Sequence, residues 1–173
     1  MMHRIFLTLL VLPLFLFSAT TYASKQDVPF GIRVYEIGKA PNFKLNNTDG
    51  EAFELDSTRG QWVFLHFWAS WCGPCREEMP TIQKLSESVS KDKLKIVMIN
   101  TAEDEDTIFE FLAGISVDID TLMDTNGEVT EVWKPRGLPT SFLIAPDGKV
   151  RYQAIGGRDW NNPAYIKFLK NLM

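Results

Sequence analysis

The sequence predicts an α/β fold in which helices cover both faces of a central mixed β-sheet. Two nearly continuous apolar runs, Trp62–Trp68 and Leu94–Ile99, have the composition of strands buried on both faces. Each run is followed by a segment whose apolar residues recur at helical spacing. Two further strand-like runs around a tight turn, and then a closing helix, complete the pattern.

The N-terminal half of this fold begins with a predicted β-hairpin. Phe43–Leu45 and Ala52–Leu55 are short strand candidates, and the Asp-Gly pair between them is a hairpin turn signal. Beyond the first buried run, apolar residues at three- and four-residue steps predict a helix over Gly73–Val89. Pro80 should bend this helix, because proline lacks the N–H that would bond to the preceding turn.

The C-terminal half supplies the remaining elements. Helix and strand signals mark six further segments: helices at Asp104–Ala113, Glu128–Trp133 and from Pro163 onward, and strands at Thr121–Met123, Thr140–Ala145 and Lys149–Ile155. Asn161 or Asn162 is the expected cap of the last helix. We interpret the acidic run Glu103–Asp106 as a solvated helix start, where negative charge suits the helix dipole.

The first residues have the pattern of an export signal. A weakly positive start precedes an apolar stretch from Ile5 to Phe17 and a small-x-small cleavage site before Ser24. The stretch is shorter than the roughly 20 residues of a spanning helix, so cleavage is favoured over an uncleaved anchor. We therefore expect a signal peptide at 1–23, an irregular lead-in at 24–37 and a periplasmic or other extracytoplasmic domain at 38–173, soluble after cleavage or anchored by an N-terminal helix.

Charge and cysteine content narrow the function. A net charge of −4 without a basic stripe argues against a nucleic-acid surface. The chain has two cysteines, Cys72 and Cys75, and a bond between them closes too short a loop to constrain the chain much. The pair therefore needs a chemical rather than a mechanical role. The sequence specifies no oligomeric state.

The cysteine pair lies at the junction between the buried strand and the long helix. Unpaired N–H groups and the positive end of the dipole stabilise a thiolate there, so the pKa of Cys72 should fall below the free value of about 8.5. Cys72 is the candidate nucleophile because it precedes the helix and can face solvent. Cys75, one turn further in and shielded, can attack the mixed disulfide that Cys72 forms. Pro74 fits the first helical turn.

A zinc site and a pair of inert cysteines both fit the sequence less well. Half of a zinc site would need two more ligands, and beyond the signal the chain offers only His66. Inert cysteines are hard to reconcile with a strand–helix junction. We therefore expect no metal and no cofactor beyond a redox-active Cys72–Cys75 disulfide.

The region from Gly38 to Leu172 resembles the TlpA/ResA-like (DsbE-like) branch of the thioredoxin superfamily. Three blocks carry the resemblance: Gly38–Phe43, Phe67–Pro80 and Gly137–Ile144, which continues into Asp147-Gly148-Lys149. The resemblance implies a thioredoxin fold with an N-terminal β-hairpin extension and thiol:disulfide oxidoreductase activity. Members of this branch are typically exported reductants, several serving cytochrome c maturation. Protein thiols or disulfides as substrates and a membrane electron donor are therefore the expected partners.

The same resemblance assigns roles to individual residues. It implies that Pro139 is a cis proline beside the cysteine pair, in a loop that lines the substrate groove. The expected substrate-binding set is Trp71, Gly73, Pro74, Leu138 and Pro139.

Two further residues are candidates for proton transfer. Glu78, one helical turn after Cys75, matches an acid thought to serve this purpose in the branch, although it could be a solvated helix residue. His66 stands where thioredoxins place a buried acid. A neutral imidazole beneath Cys75 could accept its proton, or the side chain could be an ordinary strand histidine.

Three further functions of a cysteine pair can be compared with the sequence. An oxidant of the DsbA kind usually carries a helical insertion and a different dipeptide between the cysteines, but oxidant or isomerase remains the main alternative. Peroxiredoxins need Pro and Thr or Ser where this chain has Leu65 and Ala69. Copper carriers of related fold use a wider cysteine spacing and a distant histidine, and this sequence has neither feature.

Overall fold

The structure is a computed structural model that describes residues 27–115 and 117–173. The predicted signal peptide at 1–23 lies outside these residues. Within the described ranges, no helix is both long and apolar enough to cross a membrane.

A six-stranded mixed sheet forms the centre of the domain. The six strands are β1 Ile32–Lys39, β4 Trp62–Trp68, β5 Leu94–Thr101, β6 Thr121–Asp124, β7 Thr140–Ile144 and β8 Lys149–Ile155. Their order in the sheet is β1-β8-β7-β4-β5-β6. The strands β4, β5 and β6 run parallel, whereas β7, β8 and β1 add antiparallel pairings. The predicted α/β class with a central mixed sheet is confirmed.

Among the described residues, four α-helices and a small hairpin surround the sheet. The helices are α1 Gly73–Ser88, α2 Glu105–Gly114, α3 Glu128–Trp133 and α4 Pro163–Leu172, capped by Asn162. The predicted N-terminal hairpin is present as β2 Lys44–Asn46 and β3 Ala52–Glu54, and a 3-10 turn follows at Leu55–Thr58. Pro80 lies within α1 and does not end it.

The two faces of β4 belong to two separate cores. Phe64 and Trp68 pack with α1 and α4, and the α2 residue Phe111 contacts the Trp68 ring, at 5.3 Å between centroids. Val63, Leu65 and Phe67 face the opposite core, which holds Trp133 of α3 and Phe43 next to the hairpin. Because side chains alternate along a strand, His66 lies on the α1 face with Phe64 and Trp68.

The first strand corrects the expected irregular lead-in at 24–37. Ile32–Lys39 forms β1, the edge strand, which pairs antiparallel with β8 and shifts register between Val34 and Gly38. Most of its side chains are exposed, because an edge strand covers little of the core. Such a strand carries neither an apolar run nor a clean alternation, and its prediction as irregular was wrong. The folded domain therefore begins before residue 38.

Candidate active site

Cys72 and Cys75 form a disulfide at the start of α1, with Cα atoms 5.3 Å apart. Cys72 is the N-cap residue, and its Sγ accepts the backbone N–H of Cys75 at 3.3 Å. The Cys72 carbonyl accepts from the N–H groups of Cys75 and Arg76. The sulfur of Cys72 therefore occupies the position where first-turn N–H groups and the helix dipole favour negative charge.

Both sulfur-bearing side chains are shielded in this disulfide state. Cys72 is 4 % exposed and Cys75 has no exposed surface, so the predicted difference in access is present but narrow. Trp71, directly before Cys72, is 69 % exposed, whereas Trp68 is fully buried as core packing. An incoming disulfide would thus meet the Trp71 ring and the edge of Cys72 before it met Cys75.

The loop before β7 carries the expected cis proline. The Leu138–Pro139 peptide bond is cis, as the family resemblance implied. Thr140, the next residue, pairs with Phe67 near the end of β4. Pro139 therefore lies at the same end of the sheet as the β4–α1 junction that carries Cys72.

A second loop closes against the cysteine motif. The Pro139 carbonyl accepts the N–H of Gly156 at 2.8 Å. A Cβ at the next residue, Gly157, would lie 2.9 Å from Pro74 Cβ and 3.1 Å from the Pro74 carbonyl oxygen. Only glycine allows the backbone to approach Pro74 so closely. The sequence alone allows either a close approach or an ordinary loop at Gly156-Gly157, with the loop favoured, and the contact with Pro74 makes Gly157 a site residue.

His66 and Glu78 meet in the core behind the cysteine pair. His66 Nε2 lies 3.1 Å from Glu78 Oε1, and both side chains are buried. The two atoms are within ion-pair distance but are not aligned as a hydrogen bond. The other ring nitrogen of His66, Nδ1, is 2.9 Å from the hydroxyl of Ser141. The alternative that Glu78 is a solvated helix residue is therefore wrong.

The second carboxylate oxygen of Glu78 has two donors. Its Oε2 accepts the backbone N–H of Arg158 at 3.0 Å and the indole N–H of Trp160 at 3.2 Å. These donors and Ser141 come from segments about 60 to 80 residues further along the chain, and no local pattern marked them. Glu78 stands one turn after Cys75 on the buried face of α1, so the site pairs an inner sulfur with a buried carboxylate and imidazole.

A second buried acid lies under the β4–α1 loop. Glu103 is 9 % exposed, and its Oε2 accepts from the Ser70 backbone N–H and from Asn100 Nδ2, each at 2.7 Å. Its Oε1 also bonds to the Ser70 hydroxyl. The interpretation of Glu103–Asp106 as a wholly solvated helix start is therefore wrong for Glu103. Asp104 does cap α2, and its bonds from Thr107 lower the pKa of its carboxyl.

The competing chemistries can be examined at the same residues. Across 27–115 and 117–173, no group of three or more His, Cys, Asp or Glu side chains is placed to hold a metal ion. Leu65 and Ala69, at the positions of the peroxidase residues, are both fully buried and apolar. They offer a peroxide no hydrogen-bond partner.

Comparisons with known proteins agree on one family. Residues 38–153 match the AhpC/TSA family. The thiol-disulfide oxidoreductase ResA of Bacillus subtilis (strain 168) is 33 % identical over 129 residues, which are 75 % of this chain and 69 % of that protein. ResA of Bacillus cereus (strain ATCC 10987 / NRS 248) is 36 % identical over 116 residues, or 66 % of this chain and 67 % of that one.

Solved structures show the same relationship. A thiol:disulfide interchange protein DsbE from Chlorobium tepidum superimposes with a TM-score of 0.72 at 30 % identity, covering 81 % of this chain and 99 % of that one. StoA from Bacillus subtilis gives a TM-score of 0.64 at 25 % identity, covering 73 % and 96 %. With the helix-capping disulfide and the cis proline, these matches place the chain in the ResA/DsbE-like branch of the AhpC/TSA family, thioredoxin-fold enzymes that act as thiol-disulfide oxidoreductases.

Proposed function

We propose that this enzyme is an exported reductant of protein disulfides in which Cys72 attacks the substrate and Cys75 releases it. The observation that carries the proposal is the position of Cys72. It caps α1 with its sulfur toward the first-turn N–H groups, and it is the member of the pair that has exposed surface. A thiolate at this position is both stabilised and reachable.

The first step forms a mixed disulfide. The Cys72 thiolate attacks one sulfur of the substrate disulfide, which breaks the substrate S–S bond and forms a bond between Cys72 and that sulfur. The other substrate sulfur leaves as a thiolate and takes a proton from solvent.

The second step releases the substrate. The Cys75 thiol loses its proton, and its sulfur attacks the Cys72 sulfur, so the Cys72–Cys75 bond forms and the bond between Cys72 and the substrate breaks. The substrate sulfur leaves as a thiolate and takes a proton, which completes the reduced substrate dithiol. Two electrons have then passed from the enzyme dithiol to the substrate. Cys75 is fully buried, so its proton needs an internal acceptor. The buried Glu78 and His66 supply a carboxylate and an imidazole for this purpose, with Ser141 fixing the orientation of the ring.

The substrate groove is assigned to the residues around the disulfide. Trp71 is largely exposed, and the cis bond between Leu138 and Pro139 ends the neighbouring loop. An extended substrate segment would lie on the surface formed by these three residues together with Gly73 and Pro74. Backbone pairing beside Pro139 would hold that segment, while the Trp71 ring would cover its apolar side chains.

The dipeptide between the cysteines supports the reducing direction. Glycine and proline between the cysteines form the dipeptide of thioredoxin, which is reducing at about −270 mV. A reductant outside the cytoplasm must itself be recharged by a dithiol, and we assign that role to a membrane electron donor. Export depends on the signal at 1–23, whether cut or retained as an anchor, ahead of the folded domain. Cytochrome c maturation is the process we assign, with no cofactor beyond the disulfide.

Trapping the mixed disulfide tests the proposal. A Cys75→Ser variant cannot resolve, so it should accumulate proteins joined to Cys72 that a reductant releases, whereas Cys72→Ser should trap none. Trapping through Cys75 instead would overturn the assignment of the two sulfurs.

The reduction potential tests the direction of electron flow. We expect a value well below the roughly −120 mV of DsbA. A value near or above it would favour the oxidant.

A further inference from the structure

We propose that Glu103 is a positioning residue that holds the β4–α1 turn and thereby places Cys72 for attack. The proposal rests on the proposed function in one respect, since it takes Cys72 as the attacking sulfur. It assigns a role to a buried acid that takes no part in the proton transfer described above.

Two of the three hydrogen bonds of this carboxylate go to Ser70 of the β4–α1 loop, and the third comes from Asn100 of β5. One oxygen accepts from Ser70 N and Asn100 Nδ2, each at 2.7 Å, and the other bonds to the Ser70 hydroxyl. Ser70 stands two residues before Cys72, whose own N–H donates to the Ala69 carbonyl at 3.2 Å. Glu103 therefore fixes the middle of the turn from which the exposed Trp71 and the capping Cys72 emerge.

The chain is distorted where it delivers this carboxylate. Ala102 has a φ of 53°, a conformation that a residue with a Cβ adopts reluctantly. Its N–H donates to the Asp124 carbonyl at 3.0 Å, which fixes the turn after β5. The unusual backbone is thus tied to a neighbouring strand at the point where Glu103 turns inward.

The three acids that follow Glu103 in the sequence differ from it in exposure. Asp104, Glu105 and Asp106 are all exposed at the start of α2, where Asp104 caps the helix and the other two face solvent near the positive end of the helix dipole. Glu103 alone of the four is buried. Its carboxylate replaces water with donors of the active-site loop, which is the contact expected of a group that sets the geometry of that loop.

Two conservative variants separate reach from charge. In Glu103→Gln the amide oxygen can take the place of Oε2, and the amide nitrogen can donate to the Ser70 hydroxyl, so all three bonds persist without the charge. Glu103→Asp keeps the charge, but the side chain is one methylene shorter and cannot span the same contacts. Glu105→Asp makes the same substitution at an exposed acid of the same helix start and serves as the matched control.

The readouts are the alkylation rate of Cys72 in the reduced protein across pH and kcat/KM for a disulfide peptide. Displacing a reacting group by about 1 Å can lower a rate about 100-fold, so we expect Glu103→Asp to slow both by about 10-fold or more. Glu103→Gln should stay within about 3-fold of the unchanged protein, and Glu105→Asp should match the unchanged protein. Circular dichroism verifies that each variant is folded.

Three outcomes would count against the proposal. If Glu103→Gln loses activity while Glu103→Asp keeps it, charge rather than position is what matters and the proposal is overturned. If neither variant changes the rates, Glu103 does not position Cys72 and the proposal is overturned as well. If the unchanged protein alkylates Cys72 no faster than Cys75, the assignment of the attacking sulfur fails, and the role of Glu103 fails with it.

Discussion

Replacing Glu78 separates its structural role from its part in proton transfer. Glu78→Ala leaves the buried Trp160 indole N–H and the part-buried Arg158 backbone N–H without their acceptor, at about 1–3 kcal/mol for a buried group and less for a part-buried one, so we expect a loss of about 2–4 kcal/mol in the free energy of unfolding. In Glu78→Gln the amide oxygen still accepts both N–H groups, and the expected loss is within about 1 kcal/mol. The amide cannot, however, accept a proton from Cys75.

The kinetic consequence should appear in one step only. Reduced enzyme mixed with an aromatic disulfide such as DTNB releases one coloured thiolate when Cys72 attacks and a second when Cys75 resolves the adduct. A positioned general base contributes about 10²–10⁴-fold, so Glu78→Gln should slow the second release by about 100-fold at neutral pH. The difference should shrink at high pH, where Cys75 ionises without help.

The control for this experiment lies one residue away. Glu77 is exposed on the same helix, and Glu77→Gln should leave both releases unchanged. An unchanged second release in Glu78→Gln would refute the proton-transfer role of Glu78. Equal slowing of both releases would show that the substitution acts on Cys72 or on the fold instead.

Two further predictions concern backbone and capping. Gly157→Ala forces a methyl group against Pro74, so it should lower the free energy of unfolding by about 1–3 kcal/mol and slow the enzyme. Gly137→Ala, with open space around the new methyl group, should do neither. Thermal unfolding and turnover measure both effects, and a Gly157→Ala enzyme with unchanged stability and turnover would contradict the close approach. The pKa of Asp104 is lowered by its bonds from Thr107, so its contribution to stability is present above the ordinary value of 3.8 and lost as the pH falls through the lowered pKa. The melting temperature of Asp104→Ala should therefore lie below that of the unchanged protein at neutral pH and approach it in acid, and a pH-independent gap would argue against the cap.

The elements predicted well are those whose burial produces an apolar pattern in the local sequence. Trp62–Trp68 is a continuous apolar run because β4 lies between two cores, and its predicted bounds are the observed ones. The edge strand β1 has one covered face at most, so its exposed residues carried no periodic signal. The other edge strand, β6, is largely buried and was predicted, so the local sequence indicates buried strands better than exposed ones.

In the active site too, features set by local sequence could be predicted, whereas features set by tertiary contacts could not. The position of Cys72 at a helix start could be derived from the order of strand and helix, because the dipole and the free N–H groups belong to that junction. The burial of Glu78 and Glu103 could not, since it depends on Arg158, Trp160 and Ser70, which reach them only through the tertiary fold. The cis bond at Pro139 came from family resemblance alone, as nothing in its neighbours requires it.

The unequal reactivity of the two thiols is tested most directly by comparing them in the reduced enzyme. Alkylation followed by mass spectrometry across pH gives a titration midpoint and a rate for each cysteine. We expect Cys72 to be labelled first, with a midpoint below the roughly 8.5 of a free thiol. Labelling of Cys75 first, or of Cys72 no faster than a thiol in an unstructured peptide, would contradict the assignment of Cys72 as the attacking sulfur.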